Sequence, residues 1–149
     1  MMMRMNDEII YCIYDAGKLS DIAQMHDIRR LGEDGLDMFN DHLILCGQCT
    51  ISDEKWREML NDGTEYYLLI IGGQGVCRCC IERYSDDKWE AADVRCAADY
   101  RGMGLATELI AYVTRVILDA GRIATCRTLP DNTAMIRVME NAGYRKMEK

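Results

Sequence analysis

Residues 94–121 constrain the fold of this chain more than any other stretch. Val94-Arg-Cys-Ala-Ala-Asp-Tyr-Arg101 reads as the end of a strand, and Gly102-Met103-Gly104 as a turn. Leu105, Leu109, Val113, Val116, Ile117 and Ala120 then recur at helical spacing, with Gly121 as a stop. Ile123 to Leu129 returns to an apolar, strand-like run. A helix with one apolar stripe, set between two strands, has to lay that stripe on a sheet, which commits the chain to an α/β architecture.

The remaining elements are read around that unit. Ile9 to Tyr14 suits a short strand. Ser20 is placed to cap a helix carrying Ile22, Met25, Ile28 and Leu31, closed by Gly32. Leu36, Phe39, Leu43 and Cys46 indicate a second helix, and Ser52-Asp53-Glu54-Lys55 caps a third with Trp56, Met59 and Leu60. Tyr66–Ile71, Gly75–Arg83 and Trp89–Cys96 read as strands, separated by Gly72-Gly73-Gln74 and Ser85-Asp86-Asp87. Pro130-Asp131-Asn132 opens a last helix with Met135, Val138, Met139 and Ala142 inward and Gly143 as its stop, before a short strand over Tyr144 to Lys149. The predicted order is β-α-α-α-β-β-β-α-β-α-β, one α/β domain over residues 1–149 with a mixed sheet and a frayed end at residues 1–7.

Composition narrows the function classes. A net charge of −7 lacks the basic footprint of a general nucleic-acid or anionic-membrane binder. Apolar runs such as Tyr66 to Ile71 fall far short of the ~20 residues a membrane span requires. The N-terminus has no apolar signal core, so the cytosol is the expected location and the eight cysteines are expected as thiols. Cys46-x-x-Cys49 and Cys77-x-x-Cys80 have the spacing of a four-thiolate zinc site. Residues three apart on a strand point to opposite faces, which argues against Cys77 and Cys80 sharing a metal, and no metal is expected.

The turn at 101–104 carries the chemistry. A glycine-bearing turn that opens a helix aims free backbone N–H groups and the positive end of the helix dipole at one spot, which suits a phosphate. A tight turn needing glycine for shape alone is the alternative. Arg101-Gly102-Met103-Gly104-Leu105-Ala106 resembles the pyrophosphate loop of the GNAT superfamily of acyl-CoA N-acyltransferases, Arg/Gln-x-x-Gly-x-Gly/Ala. Asn132-Thr-Ala-Met-Ile-Arg-Val-Met-Glu-Asn-Ala-Gly143-Tyr144 resembles that family's second motif, an Asn-led helix ending in Gly-Phe/Tyr.

The resemblance implies an N-acetyltransferase fold and acetyl-CoA as co-substrate. It implies that Arg101, Gly102, Met103, Gly104, Leu105, Ala106 and Thr107 hold the pyrophosphate, and that the backbone of Val94 to Cys96 pairs with the pantetheine arm. Asn132 would contact the arm from the far side. Cys96 is read as a small core side chain rather than a nucleophile. Many members of the family carry a Tyr general acid five residues before the Gly-Phe/Tyr pair; here that position is Met139, which has no proton to donate. A non-catalytic acyl-CoA sensor is therefore a second reading, and a zinc-stabilised interaction domain using Cys46, Cys49, Cys77 and Cys80 a third. Glu90, of the same parity as Val94 and Cys96, is the candidate to take the amine's proton, with Asp93 as second choice. The acceptor is expected to be a small-molecule or peptide amine, chosen by residues 18–65. Asp34, Asp37, Asp41, Asp53 and Glu54 make that region acidic, and the short chain end leaves a sheet edge that a homodimer could cover. His26 and His42 are expected on early helices as surface or cap residues. Tyr66 and Tyr67 are expected to send one ring to the core and one to a pocket wall.

Overall fold

The computed structural model describes residues 7–147. Seven strands form one sheet: β1 (Ile9–Ile13), β2 (Asp27–Arg30), β3 (Thr64–Ile71), β4 (Gln74–Glu82), β5 (Lys88–Cys96), β6 (Ile123–Thr128) and β7 (Arg145–Lys146). Their spatial order is β2-β3-β4-β5-β6-β1-β7, antiparallel at every junction except β5–β6, which is parallel. Four α-helices cover the sheet: α1 (Leu36–Leu45), α2 (Asp53–Asn61), α3 (Leu105–Asp119) and α4 (Thr133–Ala142). The mixed α/β sheet is the architecture the sequence indicates, with most element positions displaced by a residue or two. The expected frayed end and the end of the last strand fall largely on residues 1–6 and 148–149, outside the described residues.

The two faces of the sheet carry separate cores, as the strand period of two requires. Along β3, Tyr67 and Leu69 join a cluster with Leu105, Leu109, Ile110, Val113 and Ile117 of α3 and Met139 and Ala142 of α4. Tyr66, Leu68 and Ile70 join Leu36, Phe39 and Leu43 of α1 and Trp56 of α2 on the other face. Neither tyrosine lines an open pocket wall: both rings are buried. Strands buried on both faces explain why β3 reads as a continuous apolar run rather than an alternating one.

The expected helix over residues 20–31 is absent. Residues 20–26 are irregular, and Asp27–Arg30 instead forms the edge strand β2, paired antiparallel with β3. The i, i+3 spacing of Ile22, Met25, Ile28 and Leu31 mimics a helical stripe, yet Met25 is solvent-exposed. Tertiary bonding overrides the local pattern. The Glu108 carboxylate on α3 accepts from the amides of Met25 and His26 at 2.9 and 2.8 Å, and pairs with His26 Nδ1 at 2.9 Å. A β3 buried on both faces also needs a partner for its outer N–H and C=O groups, and β2 supplies it. His26 accordingly sits in an irregular segment rather than on a helix, and His42 is buried on α1 rather than on the surface.

Candidate functional site

β5 and β6 pair only at Lys88↔Ile123, Trp89↔Ala124 and Glu90↔Thr125; beyond that point the strands part. On its other side β5 stays paired with β4, through Arg78↔Arg95 and Cys77↔Cys96. The stretch Val94–Cys96 therefore presents one unpaired strand edge to a gap, a set of N–H and C=O groups suited to an extended, amide-bearing ligand. The same strand leads into the glycine turn. Gly102 and Gly104 have φ of 76° and 78°, and nothing within 4 Å would meet a Cβ at either position. Gly104 is the N-cap of α3 and leaves the first-turn amides without a side-chain acceptor. Arg101 Nε donates to the Cys96 carbonyl at 3.2 Å, tying the turn to the end of β5. Arg101, Gly102, Met103 and Gly104 are exposed, Ala106 and Thr107 half-buried, and Leu105 is anchored in the core. Uncapped amides over open space fit a diphosphate, and the free β5 edge fits the arm of coenzyme A.

At α4, Asn132 accepts from the Met135 amide through Oδ1 at 3.1 Å and so acts as the helix cap. Met139 is fully buried among the α3 and α4 core residues. Glu90 is buried too. Its Oε1 accepts from Arg127 Nε at 2.7 Å and from Thr125 Oγ1 at 3.4 Å. Burial raises its pKa above the ordinary carboxylate range, with Arg127 partly offsetting this.

The parity that grouped Glu90 with Val94 and Cys96 does not hold. β5 bulges against β4, so that Asp93 and Val94 together face the single residue Cys79, between the pairs Arg78↔Arg95 and Cys80↔Ala92. Ala91, Val94 and Cys96 pack on the α3 side. Glu90 alternates with Trp89 and Ala91, which puts it on the opposite face.

Asp93 is the pivot of this bulge, with φ at 51°, and is the one non-glycine residue with positive φ among those described. Its carboxylate is held from within by three donors. Tyr66 Oη donates to Oδ2 at 2.5 Å, Arg78 Nε to Oδ2 at 3.1 Å, and Arg78 Nη2 to Oδ1 at 3.2 Å. The Arg78 side chain is 6% exposed and that of Asp93 43%. Arg78 Nη1 also donates to Gln48 Oε1 at 2.7 Å and lies 3.4 Å from His42 Nε2. His42 Nδ1 lies 2.8 Å from the Gly75 carbonyl, which can only accept, so the ring proton is on Nδ1 and Nε2 offers its lone pair to Arg78. Burial is the main cause that pulls His42 below its usual pKa, which favours this neutral form. Burial likewise pushes the Tyr66 hydroxyl up and keeps it a donor.

Sequence reading did not single out Arg78, His42 or Gln48 for this site. The available signal was an arginine inside the strand Val76-Cys77-Arg78-Cys79-Cys80-Ile81, since a buried guanidinium requires a buried partner. The cysteines differ from expectation at one pair. Cys77 and Cys96, directly opposite in the β4–β5 register, are joined as a disulfide, while Cys12, Cys46, Cys49, Cys79, Cys80 and Cys126 are free. Cys77 packs on the α3 side and Cys80 on the α1 side, so the four cysteines of the zinc pattern do not converge. Among the described residues no group of three or more His, Cys, Asp or Glu is placed to hold a metal ion.

The family model of the acetyltransferase (GNAT) family matches residues 36–144. The chain belongs to this family. No curated protein sequence matches it. Among solved structures, a GNAT-family acetyltransferase from Colwellia psychrerythraea superposes with a TM-score of 0.73 at 16% identity, covering 93% of this chain and 52% of its own. AAC(6')-Iy, solved with the bisubstrate analogue CoA-S-monomethyl-acetylneamine, gives 0.67 at 18% identity over 83% of this chain and 92% of its own. An aminoglycoside acetyltransferase from an uncultured soil metagenomic sample, in complex with sisomicin, gives 0.64 at 15% over 77% and 86%. At these identities the likeness concerns the GNAT fold. The chain spans 60% or less of the length of the first three structures it resembles.

Proposed function

We propose that this GNAT protein transfers an acetyl group from acetyl-CoA to a primary amine by direct transfer within a ternary complex. The observation that carries this reading is the adjacency of an unpaired β5 edge and an uncapped, glycine-lined α3 N-terminus at the point where β5 and β6 separate. When bound, acetyl-CoA supplies an activated acyl group and a thiolate leaving group. The amides of residues 101–107 hold its diphosphate, and the edge of Val94–Cys96 aligns its arm. A free N–H of that edge donates to the thioester carbonyl oxygen, where charge develops during transfer. The Asn132 side-chain N–H₂, not used by the cap, is free to reach the arm from the α4 side. Most of the rate advantage then comes from holding amine and thioester together.

Because Met139 is buried and aprotic, the departing thiolate takes its proton from water or from the amine itself. Glu90, buried and bonded to Arg127, is placed to stabilise the base of the gap rather than to exchange protons with solvent. A small cationic amine is the favoured acceptor class. The acidic side chains of Asp34, Asp37 and Asp41 line a hollow of about 590 Å³ beside α1 and the start of β4, which supports it. Among the described residues no helix is long and apolar enough to cross a membrane.

The test is a thermal-shift titration with acetyl-CoA, coenzyme A and ATP, followed by mass spectrometry of a panel of amines incubated with acetyl-CoA. A rise with the first two ligands only, together with one amine gaining about 42 Da as an acetyl group replaces a hydrogen, supports the reading. Binding without acetylation of any amine selects the sensor reading that Met139 motivates.

A further inference from the structure

The α1 face of the sheet carries a charge without a counter-ion beside the gap. Val94 and Cys96 pack on the α3 side, so Arg95 between them stands on the α1 side. It is the middle residue of the edge that borders the gap, and in the β4–β5 register it lies directly opposite Arg78. Two guanidinium groups facing each other across neighbouring strands repel, which is a cost unless anions offset it. Arg78 is fully accounted for: it is buried, grips the Asp93 carboxylate with Nε and Nη2, and gives Nη1 to Gln48. Arg95 is exposed and, among the described residues, makes no hydrogen bond and no ion pair.

The other charges on this face do not supply the missing anion. Glu90 is taken by Arg127 at 2.7 Å. Glu82 lies opposite Glu90 in the register, at the far end of β5 from Arg95. That separation is roughly 15 Å along the strand, beyond the Debye length of about 8 Å at physiological salt. His42 is held below its usual pKa by burial first, and the charges of Arg78 and Arg95 also oppose its protonation. One positive charge is left over, on an open side chain at the gap, in a chain whose net charge is −7.

Resting on the acetyltransferase reading, we infer that the acceptor is an amine that also carries an anionic group, a carboxylate or a phosphate, and that Arg95 is the specificity-determining residue that binds this group. A guanidinium presents a planar fork of donors that matches either anion with two parallel N–H···O bonds. The bound anion also offsets the repulsion between Arg95 and Arg78. The ammonium end of such an acceptor is what the acidic chain attracts, and the anionic end is what Arg95 selects. An acceptor bound through its anion as well as its amine is restricted in the directions its nitrogen can take toward the thioester. A plain alkylamine lacks that second point of attachment.

The test assays the full-length wild type, Arg95→Gln and Arg95→Lys with acetyl-CoA on matched amines. These are the common α-amino acids beside their carboxamides, and phosphoethanolamine beside ethanolamine. The readout is the ratio of kcat/KM for an anionic amine over its neutral match, and how that ratio changes from wild type to variant. Effects on acetyl-CoA binding cancel within the ratio, and differences in amine basicity cancel between variants. For the anionic amine that the wild type acetylates best, Arg95→Gln should lower the ratio about tenfold or more, the scale of one lost charge-assisted contact. Arg95→Lys, which keeps the charge but not the fork, should lower it less. Whether the affected amine is an amino acid or phosphoethanolamine tells carboxylate from phosphate. A merely structural Arg95 would lower the rates for both members of a pair and leave the ratio in place. A ratio unchanged in Arg95→Gln, or a wild type that acetylates only the neutral amines, overturns this inference and leaves the acetyltransferase reading standing. A wild-type chain that binds acetyl-CoA but acetylates no amine overturns both.

Discussion

Substituting Gly104 by Asn and by Asp compares two side chains of nearly equal size that differ by one negative charge. Gly104 holds φ at 78° and a Cβ there would meet nothing within 4 Å, so the folded chain accommodates either without a clash. The backbone cost is about 1–2 kcal/mol for an ordinary residue in the left-handed region and less for Asn or Asp. That corresponds to a loss of roughly 2–4 °C in Tm per kcal/mol for a domain of this size, and it is common to both variants. The cofactor sees a difference. At ~4 Å a unit charge repels another by about 1 kcal/mol in water and about 4 kcal/mol at an effective dielectric constant of 20. The Asp variant should therefore bind coenzyme A about 5-fold to several hundredfold more weakly than the Asn variant. Isothermal titration with coenzyme A measures this, and pantetheine, which lacks the diphosphate, should not distinguish the two. Equal coenzyme A affinities in the Asn and Asp variants would refute an anion site at this turn.

Leu109→Ala removes a fully buried side chain from the centre of the α3 face, and urea unfolding should show a loss of about 2–5 kcal/mol; a loss below ~1 kcal/mol would show that α3 does not anchor this core. Asn132→Ala should cost about 1 kcal/mol through the lost α4 cap. Asn132→Ser should recover that stability, while coenzyme A affinity stays reduced in both if the amide reaches the arm; recovery of affinity in the Ser variant would reduce Asn132 to a cap. His42 has its pKa lowered by burial, so the unfolded chain binds this proton more readily than the folded one. Its contribution to stability is thus complete above the ordinary histidine value of 6.5 and is lost as pH falls below it. Thermal denaturation from about pH 8 to about pH 5 should decline less steeply in His42→Gln than in the wild type, and parallel slopes would place the acid sensitivity elsewhere.

Local rules account for much of what the chain does. The Gly104 turn, the stripe from Leu105 to Ala120, and the stops at Gly121 and Gly143 are set by residue type and spacing within a few positions. They were legible because a left-handed turn and a 3.6-residue period need no distant partner. Ser52 is legible for the same reason, since its hydroxyl caps α2 by accepting from the Lys55 amide three residues on. The glycine turn that opens α3, and the family whose motif it resembles, follow from such local features.

The remainder depends on partners far away in sequence. Residues 27–30 became a strand because Glu108, some eighty residues on, fastens the preceding segment and because β3 needed an edge. Glu90 and Val94 share a parity in the sequence but not in the sheet, because a single extra residue at Asp93 shifts the register on β4 and sends the following side chains to the other face. The network of His42, Gln48, Tyr66, Arg78 and Asp93 is drawn from α1, the loop after it and three strands. No spacing rule in one dimension brings those five together; the buried charge of Arg78, which must find its counter-ion inside the fold, does so only once the sheet is assembled.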